Sequence, residues 1–287
     1  MRRDDPRPRE EAPVCEYLEE RRIMKNYYFI LLILSIGLAS GCKKESNPAA
    51  PDLLPTPEMI AVQGGSFLMG SVSGNTDEQP VHSVTLIGFS LGKYEVTQKQ
   101  WREVVQWKQG SATTPLDPEP SFSKGDYLPV ESVNWEDVQT WIGYLNEKEG
   151  TTAFRLPTEA EWEFAARGGT KSQGYIYSGS NTIDDVSWYK SNSGKRTHTV
   201  GTKGGNELDF CDMSGNVWEW CSDWYAEYSP DAQTNPAGPS SGYLMVLRGG
   251  WSDDISQLCR STNRGNSTPD YRYSNIGFRL AMGINAR

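Results

Sequence analysis

Histidine is almost missing from this chain, with two among 287 residues, His82 and His198. That excludes a His-rich iron or zinc centre of the facial-triad kind, and each imidazole alone reads as a hydrogen-bonded structural group. No glycine-rich phosphate loop and no G-x-S-x-G nucleophile elbow occurs, which removes two common routes to phosphate binding and acyl transfer. The 28 glycines and 17 prolines have no period, so a solenoid or propeller is excluded. Basic residues are outnumbered 37 to 28, a net charge of −9. A surface of that sign repels phosphate backbones, so nucleic acid is not a partner.

What is present is apolar and aromatic. Hydrophobic residues make up 37% of the chain, with 10 Trp, 14 Tyr and 8 Phe, enough to build one substantial core rather than a disordered chain. The N-terminus divides further. Tyr27 to Leu38 is an apolar run preceded by Lys25 and followed by Ala39-Ser40-Gly41-Cys42. The run is too short for a comfortable bilayer span, and its charged, apolar and small-residue order is that of a secretory signal peptide. Small residues leading into a cysteine resemble a bacterial lipobox, which makes Cys42 the expected lipidated N-terminus, although Ala39 stands where that motif usually has Leu. An ordinary signal peptide with an incidental Cys is the alternative. Residues 1–23 then read as a mis-assigned start ahead of Met24, 24–41 as the signal peptide, 42–57 as a Pro- and Ala-rich tether and 58–283 as one domain.

Within that domain, Ile60, Val62, Phe67 and Met69 alternate across Gly64-Gly65 like a hairpin, and Val84, Leu86, Phe89 and Leu91 continue the strand pattern. Thr97-x-x-Gln100 predicts a capped helix before Trp101, Val104 and Val105. Asn134 predicts another before Val138, Trp141, Ile142 and Leu145, and Thr158-x-x-Glu161 a third over 159–167. From Gly168 to about Ser241 no period is sustained, a long irregular region of the sort that is usually functional. Strands are expected again over 243–248 and 276–282. The class is α+β with much irregular structure.

The strings GGSFLMGS (64–71), KYEVTQKQW (93–101), RLPTEAEWEFAARGG (155–169), DMSGNVWEW (212–220), LRGGW (247–251) and IGFRL (276–280), in this order, resemble the formylglycine-generating enzyme, or sulfatase-modifying factor, family. The resemblance covers about 58–283 and implies that family's variant of the C-type-lectin fold. It also implies calcium in the DMSGNVWEW loop, held by the carbonyls of Ser214, Gly215 and Val217 with the Glu219 carboxylate. An oxygen-lined loop around one carboxylate suits that ion. The alternative is that Glu219 caps a turn or pairs with an arginine. By position a second calcium site is implied at Asp185, Val186, Asn192 and Gly194, the alternative there being a solvated Asn/Asp loop. With two histidines, the related iron-dependent sulfoxide synthases are excluded.

The family's enzyme oxidises a substrate cysteine with O₂, using two cysteines that bind Cu(I), a metal suited to soft thiolates. In the corresponding stretch, Gly249 to Arg260, the first position holds Asp254. Cys259 falls into step with a structural cysteine of the family, so the copper pair is missing and copper is not expected. In an oxidising compartment Cys221–Cys259 is a plausible disulfide, leaving Cys211 free. No catalytic residue is assigned. The leading expectation is a non-catalytic lipoprotein of the bacterial envelope, anchored by lipid to the outer membrane. It would use the lectin-like fold to bind a protein or glycan partner or to assemble an envelope complex. The alternatives are a formylglycine-generating oxidase and a ligand-binding protein diversified by a retroelement.

Overall fold

The computed structural model describes residues 56–283 except residue 113. The expected signal peptide, the Met24 start, Cys42 and most of the tether lie outside the described residues. Eleven strands in three small sheets and four helices are found among the described residues.

The first sheet has the order β1-β4-β11-β5 and is antiparallel throughout, with β1 Met59–Val62, β4 Phe89–Gly92, β11 Ala281–Gly283 and β5 Phe154–Arg155. A second sheet runs β2-β3-β7, with β2 Gly65–Met69, β3 His82–Leu86 and β7 Gln233–Thr234, the last parallel to β3. The expected hairpin across Gly64-Gly65 is therefore not formed. Strand β1 pairs with β4 and β2 with β3, because the chain changes sheet at Gly64, where it lies against the backbone of Leu86 to Gly88 with no room for a side chain.

The third sheet, β10-β6-β8-β9, is the one that positions the site. Its strands are β10 Ile276–Gly277, β6 Trp218–Trp224, β8 Met245–Arg248 and β9 Arg264–Ser267. The single strand expected over 276–282 is split, since Ile276–Gly277 pairs with β6 while Ala281–Gly283 pairs with β4 and β5. Phe278 to Leu280 cross between the two sheets. The region expected to be irregular contains the seven-residue β6, the short β7 and a one-turn helix, α4 Ile183–Val186.

The three longer helices begin where the capping residues place them. Helix α1 Gln98–Gln109 starts at Thr97, α2 Trp135–Glu149 at Asn134 and α3 Glu159–Ala166 at Thr158. Each has a reciprocal capping box, and α2 ends at Gly150 in the left-handed conformation. The apolar faces of α1 and α2 meet in one core, where the Trp101 and Trp141 rings stack 5.7 Å apart and Phe278 meets both edge-on. Helix α3 is buried along its whole length and packs against β2, β6 and β8. Its acidic residues are therefore placed inside the protein, which demands cationic partners.

Candidate functional site

The DMSGNVWEW segment enters β6 through two residues in left-handed backbone, Gly215 at φ 82° and Asn216 at φ 61°. Asn216, fully buried, fixes the loop. It donates through Nδ2 to Glu95 at 2.6 Å and to the His198 carbonyl at 3.2 Å, and its amide oxygen accepts from His198 N at 2.9 Å. Glu95 also accepts from Val217 N at 3.1 Å. The Glu219 carboxylate is fully buried, and Arg279 of the GFR string donates to both of its oxygens at 2.7 Å while Trp162 Nε1 donates to Oε2 at 2.7 Å. Arg279 also donates to the carbonyls of Gly92, Lys93 and Cys211.

Glu219 therefore pairs with an arginine, the alternative reading of this acid. A calcium ion held by the carbonyls of Ser214, Gly215 and Val217 would have to share a carboxylate already neutralised by a bidentate guanidinium. Among the described residues no three His, Cys, Asp or Glu side chains converge on a point that could hold a metal. As the side chains stand, the donor set does not fit the ion through Glu219. At the expected second site the polar side chains are partnered locally, with Asp185 accepting from Ser180 Oγ at 3.1 Å. Asp185 and Val186 lie in α4 and Gly194 in a left-handed turn. Asn192 donates to Asp184 at 3.1 Å rather than to Asp185, while its amide oxygen accepts from Tyr189 N.

Around Arg279 the charge does not balance. Glu95 and Asp212 are both buried beside the Glu219–Arg279 pair, so three acids share one cation. Burial first, then the neighbouring carboxylates Asp212 and Glu219, push Glu95 well up. Asp212 is pushed up to about 6, chiefly by burial, and its Oδ1 has no hydrogen-bond partner among the described residues.

The three described cysteines are free thiols, so the expected Cys221–Cys259 disulfide is not formed. Cys221 is in β6 and packs in the core with α3, whereas Cys259 ends a short 3₁₀ turn and lies against Gly250. Burial is the first cause that pushes Cys211 and Cys259 up to about 12, and it drives Cys221 well up too. Thiols in such surroundings stay protonated and inert. Asp254 accepts from Trp251 N at 3.1 Å and borders a cavity of about 400 Å³ with Trp218, Asn266 and Tyr273. Both histidines are structural: His198 stacks on Trp188 with centroids 3.8 Å apart, and His82 Nδ1 is 3.0 Å from the Pro80 carbonyl.

A larger cavity, about 530 Å³, opens where the chain leaves β6. Its wall combines Trp224, Tyr228 and Pro236 with Asp223, Glu159 and Arg264. Arg264 donates to both oxygens of Glu159, at 2.6 and 2.8 Å, and its guanidinium lies 3.9 Å from the Tyr228 ring centre. Arg248 donates to the fully buried Glu163 next to this pair. Burial pushes Asp223 up to about 7, with Glu159 adding to the shift. Sequence reasoning missed the cavity. Its walls come from β2, β3, α3, β6, β9 and the segment after β6 that includes β7, and no spacing along the chain joins them.

The sulfatase-modifying factor enzyme 1-like domain matches the chain over residues 43–284. The chaperone protein LppX of Paenibacillus barcinonensis is 32% identical over 81% of this chain and 90% of its own. The formylglycine-generating enzyme of Streptomyces coelicolor is 34% identical over 83% and 92%. Variable protein 1 of Treponema denticola superposes with a TM-score of 0.68 at 31% identity, covering 78% of this chain and 94% of its own. The chain also matches longer chlamydial proteins, of which it spans 38% to 45%. The fold is C-type-lectin-like, as the family resemblance implies.

Proposed function

The chain belongs to the sulfatase-modifying factor enzyme 1-like family, and from that premise we propose that it is a binding member, which holds a partner in the bacterial envelope and does not make formylglycine. The observation that carries this reading is Asp254. Formylglycine formation by the resemblance needs two thiolates on one Cu(I), and Asp254 offers a hard oxygen where the first sulfur belongs. Cys211, Cys221 and Cys259 cannot replace it as they stand, since each is buried and held protonated. The similarity to a protein named as a chaperone favours a protein client over a glycan.

The test is to mix the protein with Cu(I), O₂ and a peptide carrying a sulfatase-type cysteine motif and to read the peptide mass. The expected result is no aldehyde above a copper-only control, and aldehyde formation overturns the reading. Lipid at Cys42 completes the proposal and places the domain at a membrane, the outer membrane in a two-membrane cell. Cys42→Ser should release the protein from the membrane fraction, and retention after a high-salt wash refutes the anchor. A second reading, diversified ligand binding, draws on the similarity to a variable protein. Sequencing the gene across isolates tests it, since diversification would concentrate substitutions on the exposed face that includes Tyr271 and Tyr273.

A further inference from the structure

The cavity after β6 contains a carboxylate that the fold satisfies on one side only. Asp223 is 4% exposed, and its Oδ2 accepts from Glu159 N and from Ser222 Oγ, both at 3.0 Å. Its Oδ1 has no hydrogen-bond partner among the described residues. Unlike Asp212 Oδ1 it is not sealed in, because Asp223 lines the cavity. An acceptor that the fold leaves unpaired and open to a cavity is available to a donor carried by a ligand, which exchanges it for solvent.

The other charges on the wall narrow the choice of donor. Glu159 and Arg264 neutralise one another, and His82 is engaged with the Pro80 carbonyl. Asp223 and the exposed Glu227 are left as unbalanced negative charges. The wall therefore favours a cation. With a single free oxygen, it offers a point contact rather than the two parallel acceptors that a guanidinium fork matches. Met69, Trp224 and Pro236 supply apolar surface for an aliphatic stem.

We propose that this cavity receives an aliphatic ammonium group, the side chain of a lysine on the protein partner, with the nitrogen donating to Asp223 Oδ1 and the methylene stem against Trp224 and Pro236. This rests on the binding reading above and names the chemistry of the ligand. The two are separable, because aldehyde formation in the peptide assay overturns that reading without touching the affinity measured here.

Calorimetric titration of the whole protein at pH 8 with Nα-acetyl-lysine methylamide tests the assignment, with the norleucine, arginine and glucosamine counterparts as competing arms. The lysine probe is expected to bind saturably, and the norleucine and arginine probes at least tenfold more weakly. Asp223→Asn keeps an acceptor for Glu159 N and should weaken the lysine probe roughly tenfold or more. Glu227→Lys, at an exposed rim position that cannot compromise folding, should weaken it severalfold. No saturable binding of the lysine probe, equal binding of the norleucine or arginine probe, or unchanged affinity in both variants overturns the proposal. Tighter binding of glucosamine overturns the assignment to lysine and moves the ammonium to a glycan.

Discussion

Replacing Arg279 with methionine removes the one cation from a buried cluster of three acids, Glu95, Asp212 and Glu219. The loss strands the Glu219 carboxylate, which among the described residues then retains only Trp162 Nε1, and leaves the carbonyls of Gly92, Lys93 and Cys211 without that donor. Breaking a buried pair from one side costs about 3–5 kcal/mol. In a domain of this size about 1 kcal/mol moves the melting midpoint by about 2–4 °C, so Arg279→Met should melt on the order of 10 °C lower. Glu219→Gln should cost less, because it leaves two acids to one base and so reduces the imbalance instead of enlarging it. The assay is thermal melting by circular dichroism at pH 8, run with and without EDTA. With Glu219 committed to Arg279, EDTA should leave the wild-type midpoint in place. An equal or larger loss in Glu219→Gln refutes the charge argument. A fall in EDTA that calcium reverses shows that a metal shares the carboxylate.

The remaining predictions concern the cavity, the loop and the thiols. Asp223 carries its charge only above about 7, its folded value being raised from 3.8 by burial and by Glu159, so affinity for the lysine probe should fall by about thirtyfold between pH 8 and pH 5.5. Glu159 and Glu161 of α3, Arg264 of β9, His82 of β3 and Glu227 also face this region, and a pH-independent affinity would show that Asp223 is not the acceptor. For folding itself the sign is opposite. Protonation of Asp223 is easier in the folded state, so its contribution to stability is present below about 4 and is lost as pH rises through about 7. Gly215→Ala should be strongly destabilising in melting experiments, since the residue is left-handed and a methyl group would collide with the Trp188 carbonyl. A midpoint within a degree of wild type would refute the loop geometry. Cys211, Cys221 and Cys259 should resist a thiol reagent until the protein is unfolded, and rapid native labelling of any of them would reopen thiol chemistry.

Much of this was legible locally. Capping boxes at Thr97 and Thr158 and the cap at Asn134 fixed the helix starts because a cap and its partner are three residues apart, so the signal and the hydrogen bonds occupy the same short stretch. Strand pairing was not legible, because the alternation of Ile60, Val62, Phe67 and Met69 gives two faces and says nothing of the neighbour. The split of 276–282 between two sheets was hidden for the same reason. The same limit explains Glu219: its motif marks a buried acid, and whether that acid meets a metal or Arg279 depends on a residue 60 positions away.

Composition, motif order and the aspartate at 254 were properties of the chain alone. They determined the family, the starts of the three longer helices and the residue that stands at 254, since each is a matter of which residue stands at which place. Tertiary structure decided which charges meet. It sent Arg279 to Glu219, Arg264 to Glu159 and Arg248 to Glu163, left the cysteines apart, and gathered Asp223, Trp224 and Pro236 around a cavity. Those partners are far apart in sequence, and only the closing of β6, β8 and β9 against α3 sets the distances on which Coulomb energy and hydrogen bonding depend.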